Sequence, residues 1–183
     1  MISSRIIFFV LSATCFVSFA WAIGKHFVRT DDRTPKQMRV LSILGLVFTA
    51  LQLIAILTAE KFNTITSIVG VMFYLSSLAL FWWAVVTTRR QRLTLAFSSD
   101  EPGFLLRSGP YGFIRHPFYT AYTLFWLAGV SATRAWWLII PVVIIFAFYL
   151  RAARMEEAKF SESDLSGDYE NYRKRTGMFL PKI

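Results

Sequence analysis

Long apolar runs separated by short polar stretches set the frame of this chain. Ile6 to Gly24 is the first run, Val40 to Ala59 the second, and residues 64–88 the third; two shorter runs follow at 117–132 and 135–150. A membrane-crossing helix needs about 20 apolar residues at about 1.5 Å of rise each. The first three runs meet that requirement, and 117–132 is barely long enough. The fifth run can continue as helix through Arg151 to Phe160, standing out of the membrane. The pattern predicts an all-α integral membrane protein of five transmembrane helices in one domain, 1–183. Gln52, the strongly polar group inside the second run, reads as a helix–helix contact. Phe81-Trp82-Trp83 reads as an aromatic belt at the membrane interface.

Charge refines this picture. Ala20-Trp21-Ala22 resembles a signal-peptide cleavage site. Only Arg5 precedes the first run, however, and Lys25, Arg29, Arg33, Lys36 and Arg39 follow it, so a retained helix is expected. The net charge of +9 would suggest a nucleic-acid partner in a soluble protein. In a chain that is 55% hydrophobic, one-sided Lys and Arg have a topological explanation, and no nucleic acid is expected. Loop 25–39 holds five Lys or Arg, loop 89–116 five, and the region from 151 seven; the three intervening segments hold one each. This alternation places the N-terminus outside and the C-terminus in the cytoplasm. Cys15 is the sole cysteine, and His26 and His116 are the only imidazoles. That excludes an intrachain disulfide and a Cys-based metal centre, and no metal is expected.

The least apolar chemistry gathers at residues 107–122. Gly109-Pro110 is a turn dipeptide, and Pro117 suits the first position of a helix, where its missing N–H costs nothing. Arg115 and His116 precede that helix start, whose unpaired N–H groups suit an anionic group. A second cluster, Arg151, Arg154, Glu156 and Glu157, closes the fifth run. Thr133-Arg134 is a tight turn, so the two runs are antiparallel neighbours and the clusters meet at one membrane face. Such a set would hold a zwitterionic polar ligand while an apolar partner enters from lipid. The plainer alternative stays open: Arg151 and Arg154 as anchors, the Glu pair as a solvated helix face, and Tyr119, Tyr122 and Trp126 as packing on one face. Between the third run and this stretch, residues 98–103 are turn-rich, and Phe104-Leu105-Leu106 is placed to dip into the interface.

The ordered set Gly109-Pro110-Tyr111-x-x-x-Arg115-His116-Pro117-x-Tyr119, a hydrophobic hairpin, Arg154-x-Glu156-Glu157, Gly167-x-Tyr169-x-x-Tyr172-x-x-x-Thr176 and Phe179-Leu180-Pro181 resembles the isoprenylcysteine carboxyl methyltransferase family. The wider group includes the phospholipid N-methyltransferases. The likeness covers about residues 101–181; residues 1–100 share only hydropathy. It implies an S-adenosylmethionine-dependent integral membrane methyltransferase whose cytoplasmic cofactor site is built from the C-terminal half. By resemblance, Tyr111, His116, Pro117, Tyr119, Glu156 and Glu157 would bind the cofactor, with backbone groups around 104–115. Arg115, Arg151, Arg154 and Glu156 would serve catalysis by binding carboxylates or orienting the Glu pair. Tyr169 and Tyr172 would help close a lid. The implied partner is a lipophilic small molecule or prenylated substrate within membrane lipid.

Three departures bear on the substrate rather than the cofactor. Ala121 stands where the family often has Gly, Ala158-Lys159-Phe160 where Leu is common, and the tail is short. Two rival readings remain: a nicotinamide-dependent membrane reductase of the sterol-reductase type, and a non-catalytic helical membrane protein.

Overall fold

The computed structural model describes residues 2–28, 35–98 and 102–182. Arg29 and Arg33 of the basic first loop, and Ser99, Asp100 and Glu101 of the turn-rich stretch, lie outside the described residues. Six α-helices follow in order: α1 Ile2–Trp21, α2 Lys36–Thr58, α3 Thr64–Thr87, α4 Pro117–Thr133, α5 Ile139–Glu162 and α6 Ser166–Arg175. A π-helical turn, Ala22–His26, extends α1. Local chemistry explains several boundaries. Asn63 caps α3, its side-chain oxygen accepting from the Ile65 and Thr66 amides at 3.0 and 3.2 Å. Pro117 opens α4, and Arg134, left-handed at φ 56°, ends it. A 3-10 turn, Trp136–Leu138, leads into α5, which runs past residue 150 to Glu162 as the pattern anticipated.

Among the described residues, four segments are long and apolar enough to cross a membrane: Ser4–His26, Lys36–Thr58, Thr64–Thr87 and Trp136–Glu162. The expected fourth span is present as α4 but is not among them. Its 17 residues span about 25 Å, short of ~30 Å of hydrocarbon, and most of its surface is covered by protein. Ala121, Phe125, Ala128 and Ala132 are buried in the core.

Small residues let α4 lie directly on α3. A Cβ added at Gly70 would come within 3.0 Å of the Ala132 Cβ, and Ser77 Oγ donates to the Ala121 carbonyl at 2.7 Å. Gln52 of α2 is buried as a helix–helix contact, donating to Tyr74 Oη of α3 at 2.9 Å and to Ser12 Oγ of α1 at 3.3 Å. Gly129 of α4 leaves room for it: a Cβ there would sit 2.3 Å from the Gln52 amide.

The ends of the bundle sort as the charge pattern requires. At one end the Val28 amide donates to the Leu93 carbonyl at 2.9 Å and the Leu95 amide to the Val28 carbonyl at 3.3 Å. The first and third loops, both rich in Lys and Arg, therefore touch. At the other end Arg5 donates to the Ala59 carbonyl, 2.7 Å from Nη2.

Candidate active site

The loop before α4 is held by its own turn and by the C-terminal tail. Gly109 adopts φ +58° within a 3-10 turn over residues 109–112, and a Cβ there would lie 2.3 Å from Thr87 Oγ1, so glycine is required. The tail then pairs with the loop in a parallel β-bridge between Ile114 and Gly177. The Arg115 amide donates to the Gly177 carbonyl at 2.8 Å, the His116 amide to the Met178 carbonyl at 3.1 Å, and the Gly177 amide to the Phe113 carbonyl at 3.2 Å. Thr120 Oγ1 donates to the Phe179 carbonyl at 2.8 Å. Residues 173–182 thus form a strap across the start of α4. Tyr172 Oη of α6 donates to the Tyr111 carbonyl at 2.7 Å, closing the same loop from the other side.

Five ionisable groups meet beneath this strap. Arg115 Nε donates to Glu157 Oε1 at 2.8 Å, and its Nη1 donates to the Thr176 carbonyl. His116 lies between two carboxylates, Nε2 3.0 Å from Glu157 Oε1 and Nδ1 3.4 Å from Glu156 Oε2. Tyr119 Oη donates to Glu156 Oε1 at 2.6 Å. The two acids differ in access: the Glu157 side chain is 12% exposed and the Glu156 side chain 39%. Glu157 is committed to its protein partners, whereas Glu156 keeps an open side.

The electrostatics follow from these contacts. Burial alone would push the His116 imidazole down, but hydrogen bonds and charge from Glu156 and Glu157 outweigh it, so its pKa lies above the ordinary value. With a carboxylate at each ring nitrogen, His116 serves as a double donor. Burial pushes the Tyr172 phenol up to about 12, and holds that of Tyr111 well above its ordinary value with the Glu156 charge adding to it. Both phenols therefore stay neutral. The Tyr111 and Tyr169 hydroxyls are buried with no hydrogen-bond partner among the described residues. Such groups are costly unless something pairs with them.

These residues line one end of a cavity of about 480 Å³, within the size range of small-molecule sites. Tyr111, Arg115, His116, Pro117, Tyr119, Glu156 and Glu157 all contribute to its wall, as do Tyr169 and Tyr172. The other end is apolar and lies inside the bundle, between Phe16, Phe19 and Ile23 of the first helix and Met38, Leu41 and Leu46 of the second. Phe104, Leu105 and Leu106 form part of the wall between loop and bundle.

Arg151 and Arg154 are not brought into the site. Both are exposed and line no part of the cavity. Tyr149 and Glu156, which do line it, are seven residues apart and share a face. Arg151 lies two residues after Tyr149 and Arg154 two before Glu156, which turns each about 200° from that face. Arg115 is the guanidinium that meets the pair, through Glu157. Three contributors escaped the sequence reading. Lys159, whose ammonium donates to the Ser98 carbonyl, was legible from its i, i+3 spacing to Glu156. The α1–α2 wall had no local signal, and although Thr176 and Phe179-Leu180-Pro181 stand in the ordered motif, nothing local marks the strap's pairing with the loop before α4.

Compared with known proteins, the chain matches no family model and no curated protein sequence.

Proposed function

We propose that the chain is an S-adenosylmethionine-dependent methyltransferase acting on a lipophilic acceptor at the membrane. The best analogy is carboxyl O-methylation of a prenylcysteine-like group. One observation carries the reading: a single cavity joins a partly buried Arg115–His116–Glu156–Glu157 cluster to an apolar chamber within helices that can cross a membrane. That shape suits a polar donor and an apolar acceptor meeting at one point. The ordered motif over 109–181 points to the same chemistry. The proposed topology has five spans, α4 included, with the N-terminus outside and the C-terminus cytoplasmic, supported by the one-sided Lys and Arg content.

The residues present fit this cofactor. It carries an ammonium and ribose hydroxyls that need acceptors, and Glu156 offers a carboxylate with an open side. Tyr111, whose buried hydroxyl has no partner among the described residues, contributes to the cavity wall beside it. Glu157 holds Arg115 and His116 in place and acts as a positioning residue. When bound, the cofactor supplies a methyl group already activated on a sulfonium. The chain's task is orientation and exclusion of water, and correct positioning can supply about 7–11 kcal/mol of the barrier. A carboxylate acceptor arrives ionised and needs no base. An amine acceptor would pass its proton to Glu156, since His116 already donates from both nitrogens.

The test is transfer of a radiolabelled methyl group from S-adenosylmethionine to an organic-soluble product, with purified protein and a panel of prenylcysteines and lipid amines. Label in the prenylcysteine fraction, lost in Glu156→Gln, supports the reading. No label in any acceptor with folded protein contradicts it.

A further inference from the structure

The strap that holds Arg115 and His116 is also the most basic exposed segment of the tail. Lys174, Arg175 and Lys182 are exposed and make no ion pair among the described residues. Lys182 Nζ donates to the Lys174 carbonyl at 3.0 Å, which brings the end of the chain back to the end of α6. Three positive charges thus gather at one place. Nearby acids are engaged elsewhere: Asp168 pairs with Arg107 at 3.0 Å, and Glu170 lies 3.9 Å from Arg173.

Between these charges the strap turns apolar and folds back on itself, the Leu180 carbonyl lying where a Cβ on Gly177 would be. The Phe179 ring lies 5.3 Å from that of Phe146. The same ring lies 6.0 Å from that of His116, so Phe179 packs between α5 and the start of α4. Leu180, next in the chain, is 75% exposed. An exposed hydrophobic side chain beside three basic ones suits the boundary between acyl chains and headgroups.

We propose that residues 174–182 are a docking site for anionic bilayer lipid. Lys174, Arg175 and Lys182 receive the headgroup phosphate, and the exposed Leu180 reaches the acyl chains. Basic residues at a membrane surface are drawn to anionic lipid. The strap gives that attraction a destination. Its Thr176, Gly177 and Met178 carbonyls hold the Arg115 side chain, the Arg115 amide and the His116 amide. A headgroup on the strap therefore steadies the polar end of the cavity, whatever reaction occurs there.

Amide hydrogen exchange tests this on the full chain in nanodiscs of phosphatidylcholine, with and without phosphatidylglycerol. Anionic lipid slows exchange of the Arg115, His116 and Gly177 amides about fivefold. A Lys174→Gln, Arg175→Gln, Lys182→Gln variant does not respond, whereas Arg89→Gln, Arg90→Gln responds like the wild type. Equal exchange in both lipids overturns the proposal, as does a full response in the triple variant or an equal loss in the Arg89, Arg90 control. If the triple variant fails to fold, the wild-type comparison and the control decide the matter.

Discussion

Arg115 and Glu157 form a buried ion pair, Nε to Oε1 at 2.8 Å with side-chain exposures of 9% and 12%, that ties the start of α4 to the end of α5. Removing one partner leaves the other charged and desolvated, which is worse than removing both. Glu157→Gln is expected to lower stability by about 3 kcal/mol, read as a shift in the unfolding midpoint in detergent.

Glu156→Gln should behave differently. Its carboxylate is 39% exposed and bound by a hydroxyl and an imidazole, so the stability cost stays within about 1 kcal/mol. Ligand affinity falls about 30-fold, the worth of a charge-assisted hydrogen bond. Paired unfolding and calorimetric titrations separate the two acids; equal behaviour would contradict the division of roles.

Arg151→Gln and Arg154→Gln are expected to change stability by no more than about 0.5 kcal/mol and to leave ligand affinity intact, since both side chains point away from the cavity. Arg115→Lys loses the guanidinium fork that reaches Glu157 and the Thr176 carbonyl together. Its effect on affinity should exceed that of both other changes combined.

The pH dependence has a definite sign. The folded-state pKa of His116 lies above its unfolded value because hydrogen bonds and charge from the two Glu side chains outweigh burial. Its contribution is fully present below about pH 6.5, the unfolded value, and is lost as pH rises through the folded value. Thermal unfolding across that window should show wild-type stability declining as pH rises. His116→Gln should flatten this component of the curve.

Gly129 offers a test of the bundle. A Cβ there would overlap the Gln52 amide at 2.3 Å, and overpacking costs about 1–3 kcal/mol. Gly129→Ala should destabilise by that amount, and a second change, Gln52→Ala, should recover part of it. A double-mutant cycle with no coupling would place the two residues apart.

These tests fall on residues that the sequence revealed unequally. Helices α2, α3 and α5 were legible from apolar run length, and α5 even in its extension to Glu162, because a continuous helical pattern needs no tertiary information. The fourth run was legible as the helix α4, but hydropathy does not say how much of its surface protein covers. Ala121, Ala128 and Gly129 mark the close packing that encloses it only once α3 is beside it. In the site, the meeting of Arg115 and His116 with Glu156 and Glu157 followed from the tight turn at Thr133-Arg134. The exclusion of Arg151 and Arg154 was available from helical phase, but their charge obscured it. The strap was beyond local reading, since Gly177 and Met178 act through backbone carbonyls that any sequence would supply.

The most direct measurement is calorimetric titration of S-adenosylhomocysteine into purified protein in detergent, beside Glu156→Gln and with a nicotinamide dinucleotide as comparison. The account predicts saturable binding of S-adenosylhomocysteine, weakened in Glu156→Gln, and none of the dinucleotide. Folded wild-type protein that ignores S-adenosylhomocysteine, or that takes up the dinucleotide instead, would contradict it.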